Sequence, residues 1–346
     1  MLSLSTSLLR NPPQSFSDQV RSILDAGIPG VVVGAEIVTD QIPALVREAK
    51  GAGYAMTALE APRPVDSAAA KSQHPRLHCP SLASGEETQR QLAEQSTLGA
   101  ISLADRHDIK VVIVAIGAVQ PADLTHRCEQ VIADTDAKLD QLEAVATRDP
   151  RQKLLATRWT EQQQRRLRDL ARPDEAMRQR RQVALDALLR SLDPLLEQAS
   201  RHGTRLALRE TCHIGGLIDR RGFLEVYQVF RGAPLRLVAD PAAAEALAIL
   251  QGHDQVPALP ADQDLIEGCY LRDLSGTRPG ALLGDGDLDL NVSYDGYSDE
   301  STRILEAPMG TAADRIAMVA RTCRELGIDG APPPVPGDPI PIIGGK

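Results

Sequence analysis

Short apolar runs alternate along this chain with stretches whose apolar residues recur every three or four positions, the pattern of strands separated by amphipathic helices. Residues 2–7 read as a strand, and 15–26 as a helix with Phe16, Val20, Ile23 and Leu24 on one face, closed by Gly27. A buried strand at 30–35 stops at Glu36, a helix follows over 41–52, and a third strand at 54–59 stops at Glu60. A helix over 86–108 leads into the fourth strand, 110–116. The rhythm returns at 205–208, where the strand gives way to Arg209 and Glu210, and a helix follows over 221–231. Strand 235–239 ends in Asp240 before an alanine-rich helix over 241–250, strand 265–271 ends in Arg272 and Asp273, and strand 303–305 ends in Glu306 before a helix over 312–326. Eight strands with helical returns predict one closed (β/α)8 TIM barrel over 1–330 rather than an open sheet. Neither GxGxxG nor GxxxxGK[ST] occurs to argue for a nucleotide fold.

Three segments depart from the rhythm. Residues 61–84 form a loop rich in Pro, Ser and His, in a position where a barrel keeps its substrate loops. His74 and His78 are four apart within it, but Pro75 and Pro80 break any helix that would align them, so they read as solvated histidines with substrate contact as the alternative. Between strands four and five, about 121–200, lies a long helical excursion: 121–146 and 191–200 have core-facing spacing, whereas 149–181 is crowded with Arg and Gln and breaks near Pro173. A solvated helical hairpin, a homo-oligomer contact and an anionic-ligand patch all remain open there. The tail, 331–346, is Pro- and Gly-rich and reads as an extended strap or disordered.

Composition narrows the function classes. Aromatic residues make up 3% of the chain, too few for a base-stacking surface, and the net charge of -9 argues against nucleic acid as partner. The five cysteines, Cys79, Cys128, Cys212, Cys269 and Cys323, are scattered without a CxxC pair, which predicts reduced thiols rather than a disulfide frame or a zinc site. The N-terminus lacks a secretory signal and no apolar run reaches the length of a membrane span, so the expected location is cytoplasmic and no membrane partner is expected.

Ligands of parallel α/β barrels sit beyond the carboxyl ends of the strands, so the strand ends carry the candidate chemistry. They gather Glu36, Glu60, Arg209, Glu210, Asp240, Arg272, Asp273 and Glu306 around one mouth, with His213 just past the fifth strand. That many carboxylates require compensation by a divalent metal, by the arginines, or by a retained proton. Asp240 before Pro241 is also a good helix N-cap in its own right.

The segments GTRLALRET, PLRLVADPAAAEAL, EGCYLRDLSGTRPGALLGDGDLDL and ILEAPMG, in that order, resemble the last four strands of the xylose isomerase-like barrels, the sugar phosphate isomerase and epimerase group related to endonuclease IV. The most specific match is the loop Leu283-Gly284-Asp285-Gly286-Asp287-Leu288-Asp289, which follows that group's Leu-Gly-x-Gly-x-x-Asp pattern. The resemblance implies a site holding Mn, Mg, Co or Zn through a Glu of strand five, an Asp of strand six, a His of strand seven and a Glu of strand eight. Two of these fall on Asp240 and Glu306, but the first falls on Arg209 and the third on Tyr270.

A guanidinium stays protonated and cannot ligate a divalent ion. Glu210 is one residue on, but successive strand residues point to opposite faces, so a divalent metal, Mn or Mg, is expected only if a bulge lets Glu210 take the missing place. Otherwise Arg209 supplies the positive charge by pairing with Asp240 and Glu306, and no cofactor is expected. If the protein is an isomerase or epimerase, Glu210 and Glu306 are the candidate bases, Asp240 orients them, and Glu36, Glu60, Arg209, His213, Tyr270 and Arg272 contact a sugar-like small molecule. The alternatives are an inactive or metal-independent barrel that binds a small polar or anionic ligand or a protein, and, more remotely, a nuclease of the AP endonuclease type.

Overall fold

The computed structural model describes residues 1–8, 27–37, 39–62, 81–116, 175–211, 216–251, 256, 259–276, 278–308 and 310–330, with scattered positions between 127 and 170. The expected helix over 15–26, His74, His78, Cys79, Cys128, Cys212, His213, most of the excursion before residue 175, and the tail lie outside the described residues.

Eight parallel strands close into a barrel. They are β1 (Leu2–Ser5), β2 (Gly30–Val33), β3 (Ala55–Glu60), β4 (Val111–Ala115), β5 (Arg205–Arg209), β6 (Leu235–Ala239), β7 (Ile266–Leu271) and, after a short antiparallel hairpin of β8 (Asp273–Ser275) and β9 (Arg278–Ala281), β10 (Thr302–Leu305). Strand order around the barrel follows the chain, with β10 sealing β7 to β1. The expected bounds hold to within one or two residues, whereas the hairpin is new. Three- and four-residue strands containing Pro279 and Gly280 carry no alternating apolar signal.

Around the barrel run α1 (Ile42–Gly51), α2 (Glu87–Arg106), α3 (Glu175–Arg201), α4 (Arg220–Val229), α5 (Pro241–Gln251), the single turn α6 (Leu290–Ser293) and α7 (Ala313–Glu325). α5 is buried on nearly every side, whereas the other long helices bury one stripe. In α1 it is Ile42, Leu45, Val46 and Ala49, and in α7 Ile316, Val319, Ala320 and Cys323. α3 is one helix from Glu175, longer than the core-facing stretch at 191–200, and its buried side runs from Ala184 to Ala199. Its buried Ser191 hydroxyl bridges Leu82 O at 3.1 Å and Glu94 at 2.7 Å, tying α3 to α2 and to the segment before it. Among the described residues no helix is long and apolar enough to cross a membrane.

Alternation along the strands separates two apolar environments. Leu206, Leu208, Leu237, Leu271 and Leu305 face the helices and join the main core, whereas Ala58, Ala207, Val238, Tyr270 and Ile304 form a separate cluster inside the barrel. The axial space is tight: a Cβ at Gly268 would lie 2.4 Å from Thr302 O, a backbone atom that cannot move aside. Cys269 and Cys323 are free and buried, and burial pushes their thiols up to about 11 and about 12, so both are inert packing residues.

Candidate active site

The barrel's interior layer places the site by counting. Two residues beyond Ala58, Ala207, Val238, Tyr270 and Ile304 come Glu60, Arg209, Asp240, Arg272 and Glu306, which therefore share the inward face one step nearer the carboxyl mouth. Period-2 geometry alone thus converges three carboxylates and two guanidinium groups on one point.

The contacts bear this out in detail. Arg272 forks Asp240, with Nε donating to Oδ1 at 3.0 Å and Nη2 to Oδ2, and its Nη1 donates to Glu306 Oε2 at 2.9 Å. Arg209 Nη2 donates to the same Glu306 oxygen at 3.0 Å and lies 3.7 Å from Asp240 Oδ2, while its Nη1 is 3.6 Å from Glu60 Oε1. The guanidinium carbon of Arg209 lies 3.8 Å from the centroid of the Tyr270 ring, and the Tyr270 hydroxyl donates to Glu60 Oε1 at 2.5 Å. Glu60 Oε2 accepts the Ala35 amide at 3.3 Å. Burial opposes charge on Arg209, but Glu306, Tyr270, Glu60 and Asp240 together hold its pKa well above the usual arginine value. Burial, reinforced by Glu60 and Glu306 against the pull of Arg209, keeps Tyr270 a neutral phenol.

Asp240 is wholly buried and does two things at once. Its Oδ1 accepts the Ala243 amide at 3.1 Å, capping α5 behind Pro241, while both oxygens face Arg272. Glu306, with 18% of its side chain exposed, and Arg209, with 14%, are the most exposed members of the cluster.

Glu210 lies on the opposite face of the strand. Its Oε2 accepts the Asp240 amide at 2.8 Å and its Oε1 pairs with Arg220 of α4 at 3.2 Å, so it braces the ends of β5 and β6 from behind and is not brought together with Arg209. Burial raises its pKa to about 7 against the pull of Arg220. Glu36 is exposed, with its carboxylate folded over Gly34: a Cβ there would sit 2.2 Å from Glu36 Oε1.

Two further residues hold the site, Arg220, which sequence reasoning missed, and Asp273, which it placed only as a strand end at the mouth. Arg220 is one; its neighbour Arg221 is its chemical equal in sequence, yet the Arg220 side chain is 10% exposed and that of Arg221 86%. Asp273 is the other: Oδ1 accepts the amides of Leu274 and Leu288 at 2.8 and 3.0 Å, and Oδ2 that of Gly284 at 2.9 Å, folding the Leu-Gly-x-Gly-x-x-Asp loop against the end of β7. A further clasp comes from Tyr294, whose hydroxyl accepts the Arg272 amide at 3.2 Å and donates to Arg272 O at 2.7 Å. The adjacent Asp-loop motif was the available signal for Asp273, and nothing in the sequence singles out Arg220.

The sequence matches no protein-family model and none of the curated proteins. The fold, in contrast, has many solved counterparts. The 3-keto-D-glucoside 4-epimerase of E. coli superposes with a TM-score of 0.58 at 11% identity, covering 94% of this chain and 98% of that one. A xylose isomerase domain protein from Planctomyces limnophilus gives 0.54 at 12% identity, over 94% of this chain and 96% of that one. The chain has the xylose isomerase-like barrel fold. This barrel also superposes on an AP endonuclease, family 2, from Brucella melitensis, with a TM-score of 0.53 at 11% identity over 93% of this chain and 98% of that one. Sugar epimerases and an endonuclease thus share the architecture, and the choice of chemistry rests with the side chains at the mouth.

Among the described residues no group of three or more His, Cys, Asp and Glu side chains is arranged to hold a metal ion. Asp240 and Glu306, the two carboxylates at positions where the resemblance implies ligands, present oxygens to Arg272 and Arg209.

Proposed function

We propose that this protein is a sugar isomerase- or epimerase-like barrel whose mouth binds a small polyhydroxylated ligand without a divalent metal. One observation carries the reading: the guanidinium groups of Arg209 and Arg272 converge on Asp240 and Glu306, so the positive charge that a metal would bring is supplied by the chain. A divalent ion here would have to displace both arginines from oxygens that they hold at hydrogen-bonding distance. Glu210 is turned towards Arg220 and the Asp240 amide, and offers that ion no replacement ligand. The residues do not fit a metal.

The division of labour follows from exposure and partners. Glu306 and Arg209 face the ligand as acceptor and donor, a pairing suited to vicinal hydroxyls. Arg272 and Asp240 form the buried anchor, Glu60 holds Arg209 from the side with the Tyr270 ring under its guanidinium, and the Glu210–Arg220 pair is the brace behind. Metal-assisted proton transfer has no place in this arrangement, which supports ligand binding more directly than catalysis. The metal-independent barrel is therefore the reading preferred, with the similarity to sugar epimerases naming the ligand class.

The test is a calorimetric and thermal-shift titration of chelator-treated protein with free ketoses, aldoses and polyols. Saturable binding is expected from at least one of them, unaltered by adding Mn, and Glu306→Gln should weaken it about tenfold, the loss of one charge-assisted hydrogen bond. Sugar binding that appears only when Mn is added would overturn the reading.

A further inference from the structure

The geometry points to a guanidinium-binding pocket filled by the chain's own Arg209, walled by the carboxylates of Glu60, Asp240 and Glu306 and floored by the ring of Tyr270. The inference rests on the metal-free reading of the mouth and extends it: the two departures from the resemblance, Arg209 and Tyr270, form one coupled unit rather than two separate losses.

Shape makes the argument. A divalent ion draws oxygens to about 2.0–2.6 Å from a single point. Here carboxylates at the carboxyl ends of three strands, β3, β6 and β10, stand 3.0–3.7 Å from nitrogens at two corners of a planar group. Donors radiating in a plane suit carboxylates around a rim, and the remaining requirement is something flat beneath. Tyr270 supplies that face at 3.8 Å, and its hydroxyl turns aside to fix Glu60, one of the walls. A histidine at 270 would offer a ring nitrogen to a metal. The tyrosine ring offers a π-face, which suits a planar cation and gives a spherical hydrated ion no ligand. The floor is wholly buried, and Arg209 keeps its charge there because the surrounding anions outweigh the cost of burial. The site is thus built for a planar cation of the guanidinium class, tethered in the wild-type chain.

Vacating it tests the claim. Arg209→Ala in the full chain is examined by thermal denaturation and calorimetry with guanidinium chloride and methylguanidinium chloride at about 20 mM, well below denaturing levels, and with ammonium, sodium and manganese chlorides at matched ionic strength. The variant is expected to melt below wild type and to regain half or more of the loss, saturably, with either guanidinium salt but not with the other three. Adding Tyr270→Leu should weaken that binding tenfold or more, and wild type should not respond. No specific response to guanidinium, an equal response to ammonium, or a stronger response to Mn would each overturn the pocket. Arg209→Lys checks it independently: it keeps the charge without the plane and should melt below wild type, whereas a melting temperature equal to wild type overturns the inference. Metal held by wild-type protein would instead defeat the metal-free reading, whatever the vacated variant binds.

Discussion

Arg272→Met is expected to destabilise the protein by about 3–5 kcal/mol, because it leaves the carboxylate of Asp240 wholly buried without its forked partner. The methionine fills much of the arginine's stem volume, so the loss reports charge rather than a cavity. Asp240→Asn in the same background should recover a large part, since the amide still caps α5 through its oxygen and no longer presents a buried anion whose remaining cation, among the described residues, is Arg209 at 3.7 Å. A double-mutant cycle by denaturant unfolding reads both numbers. A loss in the double variant equal to the sum of the two single losses would show that Arg272 and Asp240 are neighbours without being coupled.

Arg220→Met is the second large effect, and it depends on pH. Burial raises the pKa of Glu210 from its ordinary 4.5 to about 7, although Arg220 pulls the other way. The folded state therefore keeps a proton that the unfolded chain has released, and between about 4.5 and about 7 stability falls as pH rises. Removing Arg220 removes the opposing pull, so the decline steepens and continues to higher pH. The variant should lose about 3 kcal/mol at pH 8, where a buried carboxylate stands uncompensated, and recover most of it near pH 5, where Glu210 is protonated. Urea midpoints across that range check the prediction. A loss of the same size at pH 5 and pH 8 would mean that the Arg220 stem, rather than its charge, is what matters.

Both predictions concern residues that the sequence made legible to different degrees, and the reason is physical. Arg209, Asp240, Arg272 and Glu306 were readable because each ends an apolar run, and a strand's period of two assigns its end to one face. The same rule placed Glu210 on the other face, where it meets Arg220. Which carboxylate each arginine grips was not readable. Arg209 alone was expected to pair with Asp240 and Glu306, whereas the closer fork on Asp240 belongs to Arg272, which comes from β7 in a contact set by barrel closure. Tyr270 was legible as a ligand position but not as a floor beneath Arg209, since that needs the two side chains to meet across the barrel. Arg220 and Arg221 look alike until α4 is docked. The hairpin of β8 and β9 gave no periodic signal, although the Asp-rich loop that Asp273 gathers was conspicuous as a motif.

The fold follows from alternating runs and would survive many changes at the mouth. Sugar epimerases and an endonuclease superpose on this chain at 11–12% identity, which says how little of the sequence the architecture constrains. At this mouth the guanidinium groups of Arg209 and Arg272 lie against Asp240 and Glu306. The most direct test is elemental analysis of protein purified without chelator, paired with melting curves on adding Mn or Mg. Metal far below one equivalent per chain and unchanged melting are predicted; one equivalent of bound metal, with a clear rise in melting temperature on adding either ion, would contradict the account.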